Sequence, residues 1–138
     1  MSLETHALLM KDSVPGPEAW QRAIDELGFG LTIDPEFTPL ESSGFRPCTI
    51  AGRESGFEIS YDGVGELVGT YPRVAELLGG HDACISFYWT RMADCACVMI
   101  ACAALVKSFG AVVYDPQGGA VCDLETLLGE ARRALDEL

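Results

Sequence analysis

Hydrophobic and polar residues alternate along the stretch GRESGFEISYDG, residues 52–63. Phe57, Ile59 and Tyr61 share one face of an extended chain, and Glu58, Ser60 and Asp62 share the other. Side chains of a β-strand point alternately to its two faces, so the pattern predicts a strand with one buried face and one acidic, exposed face. The preceding segment FRPCTI alternates in the same way, and a two-residue turn at Gly52-Arg53 joins the two segments into a predicted hairpin.

The position of that turn sets the register of the hairpin. It places Cys48 opposite Phe57 and Pro47 opposite Glu58. The predicted buried face consists of Cys48, Ile50, Phe57 and Ile59. Proline cannot donate to a strand ladder and prefers edge strands, so we expect the acidic face to lie near a sheet edge.

The rest of the chain alternates between strand and helix patterns. Strands are predicted at residues 2–10, 29–33, 83–90 and 111–116. Helices are predicted from the PGPEAW segment to Gly28, over 64–78 with an interruption near Pro72, over 92–106, and after Asp123 as the capping residue. The succession of strand, apolar helix and strand over 83–116 predicts a right-handed βαβ crossover. We therefore predict a single α+β domain over residues 1–138, with a mixed β-sheet packed against helices.

The apolar segment MADCACVMIACAALV, residues 92–106, could be mistaken for a membrane span. As a helix rising about 1.5 Å per residue it reaches about 22 Å, which is short of a hydrocarbon core of roughly 30 Å. The first residues, MSLETHALLMK, lack the basic region and small-residue cleavage site of a signal peptide. These features predict a buried central helix in a cytoplasmic protein that does not bind a membrane.

Six cysteines are present, and three of them lie on the predicted apolar helix. Their spacing includes no C-x-x-C pair and does not suit the ligands of a zinc site. Cysteine among Ala, Val and Met acts as a small apolar residue. We therefore predict reduced, structural thiols, with neither a metal nor a cofactor.

The chain carries 21 acidic residues against 9 Lys plus Arg, a formal net charge of −12. Such a charge repels phosphate backbones, so the sequence predicts no nucleic-acid binding and favours a basic protein as partner. Acidic residues without intervening bases fill the Pro-rich loop after residue 33 and the outer face of the hairpin. The predicted partner-binding residues are Glu36, Glu41, Glu54, Glu58 and Asp62.

No catalytic motif is present in the sequence, and we predict no catalytic residue. His81-Asp82 with Cys84 as nucleophile could form a dyad, but an adjacent His-Asp before a strand is more typical of a turn. Arg91 and Asp94 are spaced for a helical ion pair.

Two segments resemble a known family. GFRPCTIAGRESGFEISYDG, residues 44–63, is similar to the hairpin of small acidic immunity proteins from bacterial polymorphic-toxin systems, and SFGAVVYDPQGG, residues 108–119, is similar to a strand and turn near their ends. The resemblance implies a non-catalytic cytoplasmic inhibitor that binds a toxin domain. An acidic face would compete with the polyanionic substrate of a basic, nuclease-like toxin.

Two alternatives remain open at this stage. The first is an enzyme or small-ligand-binding domain with a pocket near His81, Arg91, Tyr114 and Asp115, because the carboxyl ends of parallel strands often hold ligands. The second is a structural subunit, or a homo-oligomer, in which an exposed edge strand pairs with another copy.

Overall fold

A computed structural model of the protein describes residues 3–36, 43–61 and 63–138. The strands are β1 (Leu3–Leu9), β2 (Leu31–Ile33), β3 (Gly44–Ile50), β4 (Arg53–Ser60), β5 (Ala83–Trp89), β6 (Val112–Asp115) and β7 (Ala120–Cys122). The helices are α1 (Pro17–Leu27), α2 (Val64–Thr70), α3 (Met92–Phe109) and α4 (Leu124–Asp136), with short 3₁₀ helices at Lys11–Ser13 and Pro72–Leu77.

The seven strands form one sheet in the order β2-β3-β4-β5-β1-β6-β7. The predicted α+β domain with a hairpin and a crossover is confirmed. β5 and β6 run in the same direction because each pairs antiparallel with β1, which lies between them. All neighbouring strands in the described residues are therefore antiparallel, and the two crossover strands do not touch edge to edge. The sheet is thus antiparallel where the sequence predicted a mixed one, because β1 lies between the two parallel crossover strands. β7 has no counterpart among the strands predicted from the sequence.

One face of the sheet, called the inner face, packs against α1, α3 and α4. Alternate strand residues such as Leu9, Phe57 and Ile85 are buried there with the side chains of α3. The indole of Trp20 on α1 donates a hydrogen bond to the Ala101 carbonyl of α3 at 3.1 Å. This packing holds the main hydrophobic core.

The helix α3 is long and apolar enough to cross a membrane by length and composition. Every residue from Ala96 to Leu105 is nevertheless buried inside the domain. Its apolar composition thus matches its position between the sheet, α1 and α4. The helix begins after Arg91 and ends at Gly110, which adopts a left-handed conformation (φ 71°).

The opposite face of the sheet, called the outer face, is covered over only part of its width. α2 and the 3₁₀ helix after it pack their apolar side chains on β1, β5 and β6, around Leu8, Cys84 and Tyr114. The hairpin strands lie outside this second cluster. Thr49, Glu54 and Glu58 on their outer face are exposed.

The register of the hairpin differs from the prediction by two residues. Ile50 pairs with Arg53, Cys48 with Ser55, and Pro47 with Gly56. The turn is therefore Ala51-Gly52 rather than Gly52-Arg53, and both of its residues have positive φ (50° and 79°). Such a turn follows the right-handed twist of the two strands. The predicted buried residues are confirmed, because a shift of two residues leaves each side chain on its own face.

Ala51 is the one described non-glycine residue with positive φ. A left-handed conformation costs an L-residue with a Cβ roughly 1–2 kcal/mol, a cost that glycine avoids. We predict that Ala51→Gly raises the free energy of unfolding by about 0.5–1 kcal/mol, after allowance for the greater freedom of glycine in the unfolded chain. Urea denaturation is the measurement. A loss of stability would mean that Ala51 belongs to a strand, as in the originally predicted register.

Candidate functional site

The structure places two of the five predicted partner-binding residues on the outer face of β4. Glu54 and Glu58 are both exposed there, and Glu36 is exposed just after β2. Glu41 and Asp62 lie outside the described residues. The predicted acidic strand face is thus confirmed for its described members.

A row of side chains crosses the outer face perpendicular to the strands. Phe45 on β3 lies opposite Glu58 on β4, Glu58 lies opposite Tyr88 on β5, and Tyr88 lies opposite Glu4 on β1. Neighbouring strands are about 4.8 Å apart, so the row extends for roughly 14 Å. Aromatic rings and carboxylates therefore alternate across four strands of one surface.

Phe45 is the most exposed large apolar side chain in the described chain, at 56% of its full accessibility. Its ring lies over Gly56, since a Cβ added at that glycine would come within 2.2 Å of the Phe45 Cζ atom. The absence of a side chain at Gly56 thus lets the Phe45 ring approach the strand closely. An aromatic ring fixed in this way on an open face is suited to anchor a partner.

Two hollows flank the Phe45 ring. The larger, about 590 Å³, is lined by Phe45, Glu54 and side chains of β2 and β3. The smaller, about 320 Å³, is lined by Phe45, Glu58 and Tyr88. Each hollow therefore combines the same ring with a different carboxylate.

A buried carboxylate holds this half of the sheet in place. Asp94, in the first turn of α3, is only 6% exposed. Its Oδ1 accepts hydrogen bonds from the Ser55 hydroxyl at 2.6 Å and the Gly56 N–H at 3.3 Å. The Arg91 guanidinium donates to both of its oxygens, at 3.0 and 3.1 Å, which confirms the predicted ion pair. We call Asp94 with Ser55, Gly56 and Arg91 the Asp94 clamp.

The environment of the Asp94 clamp favours the ionised form of the Asp94 carboxyl group. Burial by itself would raise the pKa of Asp94, but the hydrogen bonds from Arg91, Ser55 and Gly56 outweigh it. The pKa therefore lies below its ordinary value, and the carboxylate remains charged.

Two arginines near the acidic face are already paired. Arg91 binds Asp94, and Arg46 forms an ion pair with Asp34 at 3.3 Å. Neither Glu54 nor Glu58 has an ion-pair partner among the residues that the structure describes. The exposed carboxylates of the hairpin therefore keep their negative charge available to a partner.

A polar network beneath α2 was not predicted from the sequence. The ring of His6 is 3% exposed and hydrogen-bonds the Ser86 hydroxyl through Nδ1 at 2.7 Å and the Glu4 carboxylate through Nε2 at 3.2 Å. The Tyr71 hydroxyl donates to the same oxygen of Glu4. This bond raises the pKa of Tyr71 to about 12. Polar residues at alternate positions of the central strand β1 were the available signal, but their partners are distant in sequence.

Serine, imidazole and carboxylate in one hydrogen-bonded line are the groups of a nucleophilic hydrolase. Ser86, however, is completely buried in the middle of the sheet, so a substrate cannot reach its hydroxyl in this conformation. The network therefore fixes Glu4 and His6 in position.

The structure separates the residues of the predicted His81 dyad. His81 hydrogen-bonds the carbonyls of Leu78 and Gly110, at 2.6 and 2.9 Å. Asp82 accepts from the backbone N–H of Lys11, and Cys84 is 1% exposed. These separate contacts favour the turn interpretation of His81-Asp82.

The residues proposed for an alternative pocket also make separate contacts. Arg91 belongs to the Asp94 clamp, whereas Tyr114 is buried in the cluster beneath α2. The Asp115 carboxylate accepts from the Gln117 N–H, which closes its own turn.

All six cysteines are free thiols. Burial raises the pKa of Cys95 to about 11 and raises that of Cys102. A thiol–thiol hydrogen bond raises the pKa of Cys48 and lowers that of Cys97, its partner on α3. In the described part of the chain, no group of three or more His, Cys, Asp or Glu side chains could hold a metal ion.

In comparisons with known proteins, no family model matches this chain, and neither a curated protein nor a solved structure matches it.

The Asp94 clamp leads to a prediction for stability. Asp94→Asn removes the charge that three donors share, and we expect the free energy of unfolding at pH 7 to fall by about 2 kcal/mol. Arg91→Ala serves as a comparison and should lower the free energy of unfolding clearly less than Asp94→Asn, because the Arg91 side chain is 64% exposed and solvent screens its charge.

The effect of Asp94→Asn should depend on pH. A carboxylate with a lowered pKa stabilises the fold above its unfolded pKa, near 3.9, and this contribution is lost as pH falls through the lower folded value. The difference between wild type and variant should therefore be complete above about pH 5 and shrink below about pH 4. Urea denaturation across this range is the measurement, and a difference that stays constant would contradict the clamp.

Proposed function

We propose that this chain is a non-catalytic, cytoplasmic immunity protein that binds and inhibits a basic toxin domain through the outer face of its hairpin. One observation carries the proposal: the β2–β4 half of the outer face lies outside the cluster beneath α2, and it presents an exposed aromatic ring between two exposed carboxylates. The resemblance of residues 44–63 and 108–119 to immunity proteins supports the same assignment.

The physical basis is a division of roles between the ring and the carboxylates. Phe45 supplies apolar area that a partner can bury, and interfaces concentrate binding energy in such aromatic anchors. Glu54 and Glu58, together with the net charge of −12, attract a positively charged surface from a distance. A toxin that acts on nucleic acid has such a surface, since its substrate is polyanionic.

The short edge strands argue against the alternative in which copies of this chain assemble by pairing their edge strands. The two edge strands, β2 and β7, are three residues long each. The side chain of Gln21 also hydrogen-bonds the carbonyl of Leu31 and the N–H of Ile33 in β2. Strands β2 and β7 therefore offer little backbone to a second copy.

The test is co-expression with the product of the gene immediately upstream, which the immunity assignment expects to be a large secreted protein with a variable C-terminal domain. We expect the two proteins to form a stable complex and this chain to relieve the growth defect caused by that domain. Absence of both binding and protection would overturn the proposal.

Charge reversal on the hairpin should slow the formation of this complex. For the double variant Glu54→Lys and Glu58→Lys, we predict an association rate lower by about tenfold or more at 0.05 M salt, because long-range attraction is removed. Raising salt to 0.5 M shortens the Debye length from roughly 14 to 4 Å and should reduce the difference. Stopped-flow or surface-binding kinetics at both salt concentrations are the measurement.

A matched control variant distinguishes the effect of charge on the hairpin face from the effect of the protein's net charge. Glu26→Lys with Asp136→Lys makes the same change in net charge at exposed sites on α1 and α4, which cover the inner face. This control should slow association far less than the hairpin variant. Equal effects from the two double variants would mean that the acidic residues act through net charge alone.

A further inference from the structure

A cavity of about 200 Å³ lies beside the acidic face, between the sheet and α2. It is lined by Glu4, His6, Glu66, Leu67, Thr70, Tyr71 and Tyr88. Tyr88 also belongs to the row of side chains that leads from Phe45 and Glu58 across the sheet to Glu4. The cavity is therefore continuous with the proposed docking face.

The carboxylate of Glu4 is fixed in this cavity by its neighbours. Its Oε1 accepts hydrogen bonds from His6 and Tyr71. The Gln117 side chain binds the backbone N–H and carbonyl of Glu4, both at 3.0 Å. The side chain of Glu4 nevertheless remains 27% exposed. A charged group that is fixed and yet reachable is ready to bind a ligand without further ordering.

The network around Glu4 can be satisfied without a positive charge. With hydrogen on Nε2, a neutral His6 ring donates to Glu4 and accepts from the Ser86 hydroxyl. Tyr71 is a neutral donor, and the described residues that line the cavity include no Lys or Arg. Among the described residues that line the cavity, no permanently charged cation therefore offsets the carboxylates of Glu4 and Glu66.

The lining identifies the class of cation. Glu4, Glu66 and His6 do not form a metal-binding group among the described residues. Tyrosine rings beside carboxylates suit a planar guanidinium, which stacks on aromatic faces and donates paired hydrogen bonds to carboxylates. We propose that this cavity binds guanidinium groups and that, if the proposed function holds, the toxin domain fills it with an arginine side chain.

The site is tested first with a small probe. We expect N-acetyl-arginine amide, titrated into ¹⁵N-labelled protein, to shift the amide signals of Glu4, Thr70, Tyr71 and Tyr88 saturably. The neutral analogue N-acetyl-citrulline amide has almost the same shape and should cause no saturable shift. Equal shifts from the two probes, or no saturation with arginine, would overturn the proposal.

Variants then assign the binding to the carboxylates. Glu4→Gln keeps an acceptor for His6 and Tyr71 but removes the charge, and we expect it to weaken arginine binding by about tenfold. Glu66 occupies an exposed position on α2, so Glu66→Gln leaves the His6 network intact. This variant should also weaken arginine binding. Glu26→Gln on α1 is the control and should leave binding unchanged. Unchanged arginine binding in both Glu4→Gln and Glu66→Gln would contradict the proposal.

The last experiment uses the complex with the toxin domain. It distinguishes failure of the arginine assignment from failure of the proposed immunity function. Glu4→Gln with Glu66→Gln should raise the dissociation constant about tenfold or more. If the complex forms and responds to Glu54→Lys with Glu58→Lys but not to this pair, then the docking face stands and the arginine assignment is wrong. If no complex forms at all, the proposed function fails, while the probe titration still decides whether the cavity binds guanidinium.

Discussion

The hydrogen-bonded carboxylate of Asp94 is the interaction on which the position of the hairpin depends. β4 pairs with β5 at only three positions, Glu58 to Ser60, and the part of the strand nearer the turn extends past the end of β5. At that point the Asp94 carboxylate takes the place of a neighbouring strand, because it accepts the Gly56 N–H and the Ser55 hydroxyl. The first turn of α3 thereby fixes the hairpin to the core helix.

This arrangement couples the buried and exposed sides of the same strand. Ser55 and Phe57 point inward to Asp94 and the core, so Glu54 and Glu58 must point outward. The Phe45 ring lies over Gly56, whose N–H is itself bound by Asp94. The proposed docking face is therefore positioned by contacts made on its reverse side.

The alternation of side chains was sufficient to predict which residues of the hairpin are buried and which are exposed. It did so although the predicted turn was misplaced, because a shift of two residues preserves the faces of a strand. The turn itself was wrong because Ala51 adopts a positive φ, which local rules assign to Gly, Asn or Asp.

Long-range contacts were beyond the reach of the sequence pattern. The insertion of β1 between β5 and β6 brings His6 to Ser86, 80 positions away. Nothing in the local pattern of either strand specifies that pairing, so the Glu4–His6–Ser86 network and the cavity beside it became visible only in the fold. The predicted Arg91–Asp94 pair, in contrast, depends on helical spacing alone.

In the proposed complex, the outer face of the hairpin is the surface that meets the partner. Labelling of carboxylates with a carbodiimide and an amine, read by mass spectrometry with and without the bound partner, tests it most directly. If this face binds the partner, labelling of Glu54 and Glu58 falls in the complex, while Glu26 on α1 and Asp136 on α4 are labelled as before. Unchanged labelling of Glu54 and Glu58, with protection of Glu26 or Asp136 instead, would contradict it.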